Sequence, residues 1–197
     1  DRSGHIITVE DPIEYIYKHG YSVISQREVE HDTETFASAL KAVLRQAPNV
    51  ILVGEMRDFE TIQTAVTAAE TGQLVLSTLH TLDVANTVDR IIDVFPPLQQ
   101  QQIRMQLSMV LKAVVSQEMV DAFAPDGSKI RVPLFEVMRI DSSIAPLIRT
   151  GRTQQLGNYF KYNTGNGMLT RDACRRQLEA AGIRFADEDR VESSGKD

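Results

Sequence analysis

Apolar and polar positions along the chain follow two rhythms. His5–Val9 (HIITV), Asn49–Val53 (NVILV) and Leu74–Thr78 (LVLST) are short apolar runs rich in β-branched residues, and they predict buried strands. Tyr21–Val29 interleaves polar and apolar residues and predicts a further short strand. Between them the period lengthens. Phe36, Ala39, Leu40, Val43 and Leu44 fall on one helical face, with Asp32 or Thr33 as the expected N-cap and Ala47-Pro48 as the stop. Phe59–Thr71 is a helix rich in small residues, closed by Gly72. Asp83 is placed to cap a helix running to Ile92, and Phe95-Pro96-Pro97 breaks it. Ile103, Leu107, Val110, Leu111, Val114 and Val115 then predict one long amphipathic helix.

This strand–helix order predicts an α/β fold with a parallel sheet covered on both faces. Continuous apolar strands fit that arrangement better than alternating ones. Ile130–Met138 (IRVPLFEVM) predicts a later strand that Pro133 pushes toward an edge. Beyond Asp141 the pattern changes to the short helical segments SSIAPLIRTGR, TQQLGNYFKY and MLTRDACRRQLEAAG, with a turn expected at Gly165-Asn166-Gly167. The expected organisation is a core over 1–140, a small helical appendage over 141–185 and a charged, disordered tail over 186–197.

The bulk numbers narrow the function classes. The 197 residues are 42% hydrophobic, enough for a real core. A net charge of −6 argues against a broad nucleic-acid surface. The single cysteine, Cys174, rules out an intramolecular disulfide and a cysteine-cluster zinc site, and suggests a reducing compartment. No apolar run approaches the roughly 18–20 residues that span a bilayer. The N-terminus is no signal peptide, and it starts almost directly on a strand as if something upstream were missing.

Candidate chemistry gathers where the apolar runs stop. Ligands of open parallel sheets bind beyond the carboxyl ends of the strands. The first strand delivers Glu10, Asp11 and Glu14 (EDPIE). The second delivers Glu55, Arg57 and Asp58 (GEMRD). The third delivers Thr78, His80 and Thr81 (TLHT). If these strands are neighbours, carboxylates and an imidazole converge on one edge. Such carboxylates become tolerable around a cation or when one is protonated, and Mg²⁺ suits oxygen ligands. A magnesium-bound nucleotide would then find the positioning and charge neutralisation that phosphoryl transfer needs. Each feature has a plain structural alternative: an ordinary strand end, a turn, a satisfied histidine.

VEDPIEY, QREVEHDTETFASALKAVLRQAPNVILVGEMRD, TAAETG and STLHT together resemble the secretion and type IV pilus ATPases, and most closely the PilT-like pilus-retraction branch. The resemblance runs from His5 to about Gly182, with the motifs in the family order. It implies a RecA-like, mostly parallel sheet flanked by helices, with a small C-terminal helical appendage. It implies ATP and Mg²⁺ as cofactors. By position, Glu14 resembles the acidic-box glutamate that activates water, Glu55 the Walker B glutamate near Mg²⁺, and His80 the box histidine, with Glu10 and Asp11 in support. Glu55 and Glu14 are the implied metal-side carboxylates. Arg27 and Arg45 lie where the family carries charge-compensating arginines, with a surface salt bridge as the equal alternative. Asp11, Arg27, Arg45, Arg57 and Thr78 make up the expected nucleotide-side set. The family often has a second histidine just after TAAETG; Gln73 stands there instead. The absence of a four-cysteine insertion favours the retraction branch, and the same features fit plasmid-transfer and type IVB secretion relatives. The resemblance further implies a homohexamer on an inner-membrane pilus or secretion platform protein, cytoplasmic and peripheral to that membrane.

One part of the nucleotide grip is missing from the sequence. No GxxxxGK[ST] loop is present, and Gly195-Lys196 runs straight into Asp197. The expectation is therefore a C-terminal half whose own ATPase activity is weak or absent. Core-facing residues on the first strand are expected to be exposed and to favour aberrant association. Two other classes compete: a degenerate, non-catalytic interaction module, and a nucleic-acid motor of the same fold. The acidic balance makes the motor the weakest of the three.

Overall fold

The computed structural model describes residues 3–162 and 167–186. The expected 165–167 turn and the charged tail beyond Ala186 fall wholly or largely outside these residues. The chain divides into two compact units: the chain up to His80 together with Arg90–Val110, and Thr81–Asp89 together with the chain from Leu111 onward.

The first unit is built on a four-stranded sheet. Its strands are β1 (His5–Glu10), β2 (Val23–Glu28), β3 (Val50–Val53) and β4 (Leu74–Ser77), in the order β2-β1-β3-β4. Every pairing is parallel; Val9 lies beside Val53, and Val53 beside Ser77. Period-two alternation sends Ile7, Val9, Ile51 and Val53 to one face, all fully buried with Leu40 and Val43 of α1 (Phe36–Val43) and Ala65 and Ala68 of α2 (Phe59–Glu70). Fully burying one such aliphatic side chain is worth about 1.5–3 kcal/mol. β1 is thus central and covered, which corrects the expectation that its core-facing residues are exposed. Exposed aliphatics lie on the outer strands instead: Val23 of β2 is 58% accessible, and Leu74 and Leu76 of β4 are 44% and 47% accessible. Cover on both faces was expected for the whole sheet and is not found there.

The turn chemistry departs from the pattern at one cap. Helix α1 is capped by Thr35, whose hydroxyl accepts from the Ser38 amide at 3.1 Å, while Ser38 Oγ accepts from the Thr35 amide at 3.2 Å. Asp32 is occupied elsewhere, accepting from the Glu28 amide at 2.9 Å, and Thr33 bridges to Val29. The helix ends in a 3-10 turn, Leu44–Gln46, and Ala47 turns the chain at φ +50° into Pro48. Gly72 closes α2 at φ +101°, as its position predicts.

Helix α3 (Val84–Asp93) runs across the boundary between the units, and its first turn is capped by Asp83 Oδ1 at 2.8 Å from the Asn86 amide. α4 spans Pro97–Val110, shorter than the pattern predicts. Val114 and Val115 belong instead to β5 (Ala113–Phe123), which pairs antiparallel with β6 (Lys129–Arg139) along its whole length. The reason is visible in the alternation. The inward positions of β5 mix Val114 and Ala122 with Ser116, so the strand shows no clean apolar stripe. The second unit continues with α5 (Ile144–Arg149), α6 (Leu156–Tyr162), α7 (Arg171–Ala180) and β7 (Arg184–Phe185). The strand order there is β6-β5-β7, which leaves β6 with Pro133 at an edge, as expected. Its core joins Val132, Leu134, Cys174 and Phe185, with the Arg175 guanidinium 4.3 Å from the Phe185 ring centre. The β5–β6 hairpin groups with the C-terminal helices rather than with the parallel sheet.

Candidate functional site

Because β1, β3 and β4 are adjacent and parallel, their carboxyl ends open on one edge of the sheet. Three hydrogen bonds to backbone carbonyls draw these ends together. Gly54 donates to the Val9 carbonyl at 2.7 Å, Met56 donates to the Thr78 carbonyl at 3.2 Å, and the Thr78 hydroxyl donates to the Gly54 carbonyl at 2.6 Å. Gly54 permits the first: a Cβ there would sit 3.3 Å from both Glu10 Cα and the Val9 carbonyl oxygen.

Glu55 is the inner member of the resulting cluster. Its side chain is 19% exposed, and one oxygen, Oε2, lies 2.7 Å from Arg57 Nη2 and 3.3 Å from His80 Nε2. Both partners are largely exposed, so each contact contributes little on its own, about 0–1 kcal/mol. What they supply is a fixed orientation, and Arg57 adds a compensating charge. His80 reaches Glu55 from a left-handed backbone at φ +51°, sparsely populated for a residue with a Cβ. Asp58, the third charged residue after β3, has a different task. It caps α2, accepting from the Thr61 amide at 2.8 Å and the Thr61 hydroxyl at 2.6 Å. Partial burial pushes its carboxyl up, but the Thr61 hydroxyl and the backbone amides outweigh that and hold it below the usual carboxylate range.

The acidic residues after β1 sit at the same end. Glu10 Oε1 accepts from the Thr8 hydroxyl at 2.6 Å and from Gln26 Nε2 at 3.0 Å. Asp11 is exposed and precedes a cis bond to Pro12. Glu14 is exposed in the irregular segment between β1 and β2. The structure thus joins Glu55, His80, Arg57 and Thr78 in one network, and Glu10 at the neighbouring strand end. Arg27 and Arg45 are not brought to it. Arg27 Nη2 donates to Gln46 Oε1 at 3.4 Å, and Arg45 lies in the same 3-10 turn, where the Gln46 carbonyl meets His5 at the start of β1. Arg45 thus stands toward the end where the strands begin, whereas the Arg27 backbone is level with Val9, near the carboxyl end of β1, and its side chain reaches back to Gln46. Gln26 was missed by sequence reasoning: a polar residue within a strand gives no signal until topology shows what it faces. Among the described residues no group of three or more His, Cys, Asp or Glu side chains could hold a metal ion.

Residues 1–180 match the Type II/IV secretion system protein family. The chain belongs to that family. Within it, the chain is 44% identical over 180 residues to a twitching motility protein of Neisseria gonorrhoeae, covering 91% of this chain and 47% of that protein. It is 42% identical over 179 residues to a type IV pilus retraction ATPase, PilT, of Pseudomonas aeruginosa, covering 91% of this chain and 51% of that one. The crystal structure of the pilus retraction motor PilT with bound ADP superposes with a TM-score of 0.83 at 42% identity, over 99% of this chain and 54% of that chain. This member of the family therefore spans about half the length of the relatives it matches. Its mostly parallel sheet flanked by helices is the PilT-like fold, and its relatives are pilus-retraction and secretion ATPases.

Proposed function

We propose that this chain is the hydrolytic part of a PilT-like motor ATPase that couples ATP hydrolysis to pilus retraction or secretion. The observation that carries the proposal is the Glu55–His80–Arg57 network at the joined ends of adjacent parallel strands, in a family whose relatives include a retraction motor crystallised with ADP. Glu55 is the carboxylate suited to the metal side of a magnesium nucleotide. The donor set fits that role: Mg²⁺ is commonly held by one or two carboxylates plus water and phosphate oxygens, so a cage of three protein ligands is not needed. Bound there, the ion would neutralise phosphate charge.

The remaining residues act through position and charge. Arg57 and His80 hold Glu55 in one orientation, and His80 is exposed enough to meet a phosphate. Glu14 polarises the attacking water, with Glu10 and Asp11 shaping its loop. Thr78 fixes the spacing of the β3 and β4 ends. Arg27 and Arg45, outside the Glu55 network, fit compensation of charge across a subunit boundary in a homohexamer. The complete motor then works on an inner-membrane platform protein from the cytoplasmic side. Among the described residues no helix is long and apolar enough to cross a membrane.

The test supplies the chain with a GxxxxGK[ST] segment from a relative and measures turnover. Glu14→Gln and Glu55→Ala are expected to lower kcat on the order of 100-fold or more, with melting unchanged. Undiminished turnover in both variants overturns the proposal. A chain that binds no nucleotide even when so completed would be an interaction module instead.

A further inference from the structure

Segment Asp11–Ser22 joins two adjacent parallel strands without a helix, and nearly all of it is exposed, with Tyr15, Ile16 and Tyr21 at 67%, 79% and 89%. Such a stretch has little burial to order it, yet it carries Glu14. The order comes from side chains on the neighbouring strand. Gln26 sits on β2 beside Thr8, and Glu28 beside Glu10, so all four share the sheet face opposite α1. Gln26 Oε1 accepts from the Tyr17 amide at 2.8 Å, while Nε2 donates to the Tyr15 carbonyl at 2.9 Å and to Glu10 Oε1 at 3.0 Å. Glu28 Oε2 accepts from the Ile13 amide at 2.9 Å. The backbone is therefore gripped immediately before Glu14, at Ile13, and immediately after it, at Tyr15 and Tyr17.

We propose that Gln26, assisted by Glu28, is a positioning residue that fixes the backbone on both sides of Glu14 and couples it to Glu10. The primary amide is the one side chain suited to the task. It offers one acceptor and two donors on a single plane, and all three are used. Glutamate would keep the acceptor but lose both donors, and would set a carboxylate 3.0 Å from Glu10 Oε1. Leucine would lose all three contacts. The role in hydrolysis rests on the proposed function; the grip on the loop does not.

The experiment has two arms. In the chain as it stands, amide hydrogen exchange and chymotryptic cleavage after Tyr15 and Tyr17 are compared among wild type, Gln26→Leu and Gln26→Glu. Gln26→Leu is expected to lose protection at Tyr17, and both variants are expected to be cut at least about 10-fold faster, as opening of a local segment permits, while the amides of β3 stay protected. Unchanged exchange and cleavage in both variants overturns the proposal. In the chain completed with a GxxxxGK[ST] segment, Gln26→Leu is expected to lower kcat on the order of 100-fold with KM for nucleotide within about twofold, as a misplaced reacting group does. Full kcat in Gln26→Leu alongside a dead Glu14→Gln also overturns it. If Glu14→Gln keeps full turnover while Gln26 variants still release the loop, the proposed function falls and the grip stands.

Discussion

Asp58 lies between the Glu55 network and α2, and the structure gives it a measurable task. Replacing it with alanine removes the acceptor for the Thr61 amide, an N-cap loss that costs about 0.5–2 kcal/mol. It also strands the hydroxyl of Thr61, a residue with 0% exposure, which adds about 1–3 kcal/mol if no water replaces the oxygen. The two losses share a side chain and do not add fully, so we expect about 2 kcal/mol for Asp58→Ala. Asp58→Asn keeps one oxygen for the amide but loses the second and the charge, and should cost about 1 kcal/mol. Because the chain has two compact units, a global melting point blurs the effect. The sharper assay is hydrogen exchange of the α2 amides, where 2 kcal/mol corresponds to roughly 30-fold faster opening. The pH dependence has a defined sign. The folded carboxyl is held below its ordinary range, so its stabilisation is fully present above about pH 4 and is lost as pH falls through the lowered folded value. The gap between wild type and Asp58→Asn should thus be flat at neutral pH and shrink in acid. Exchange in Asp58→Ala identical to wild type would refute the cap assignment.

Two further outcomes follow from single residues. His80→Val should be less stable than His80→Gly by about 1–2 kcal/mol in urea unfolding, because valine pays for the left-handed backbone that glycine adopts freely; equal stabilities would place the cost elsewhere. Cys174, buried at 7% exposure in the second core, should react with a thiol reagent at least about 100-fold more slowly in the native chain than in urea, and equal rates would mean that core is open.

The parallel sheet was legible because its strands state themselves: Ile6-Ile7 and Val50–Val53 are compact β-branched runs that need burial on at least one side. The convergence of Glu55 and His80 followed once those strands proved to be neighbours. The β5 strand was hidden because its inward positions include Ser116 and its outward ones include Val115, so helix periodicity matched as well as alternation did. Thr35 lost the cap assignment to Asp32 and Thr33 because a Thr-x-x-Ser pair is a quieter signal than an acidic residue. The grip of Gln26 on the Glu14 loop depends on the chain folding back over a strand it has not yet formed, and no local pattern encodes that.

β4 forms one border of the four-stranded sheet and, among the described residues, pairs with β3 alone. The opposite border is partly plugged, since the Ile24 amide of β2 already donates to His19 Nδ1 at 3.1 Å. An incoming parallel segment would therefore enter beside Leu74 and Leu76 and finish level with Thr78. Whatever followed it in the polypeptide would be delivered next to His80, one imidazole away from Glu55.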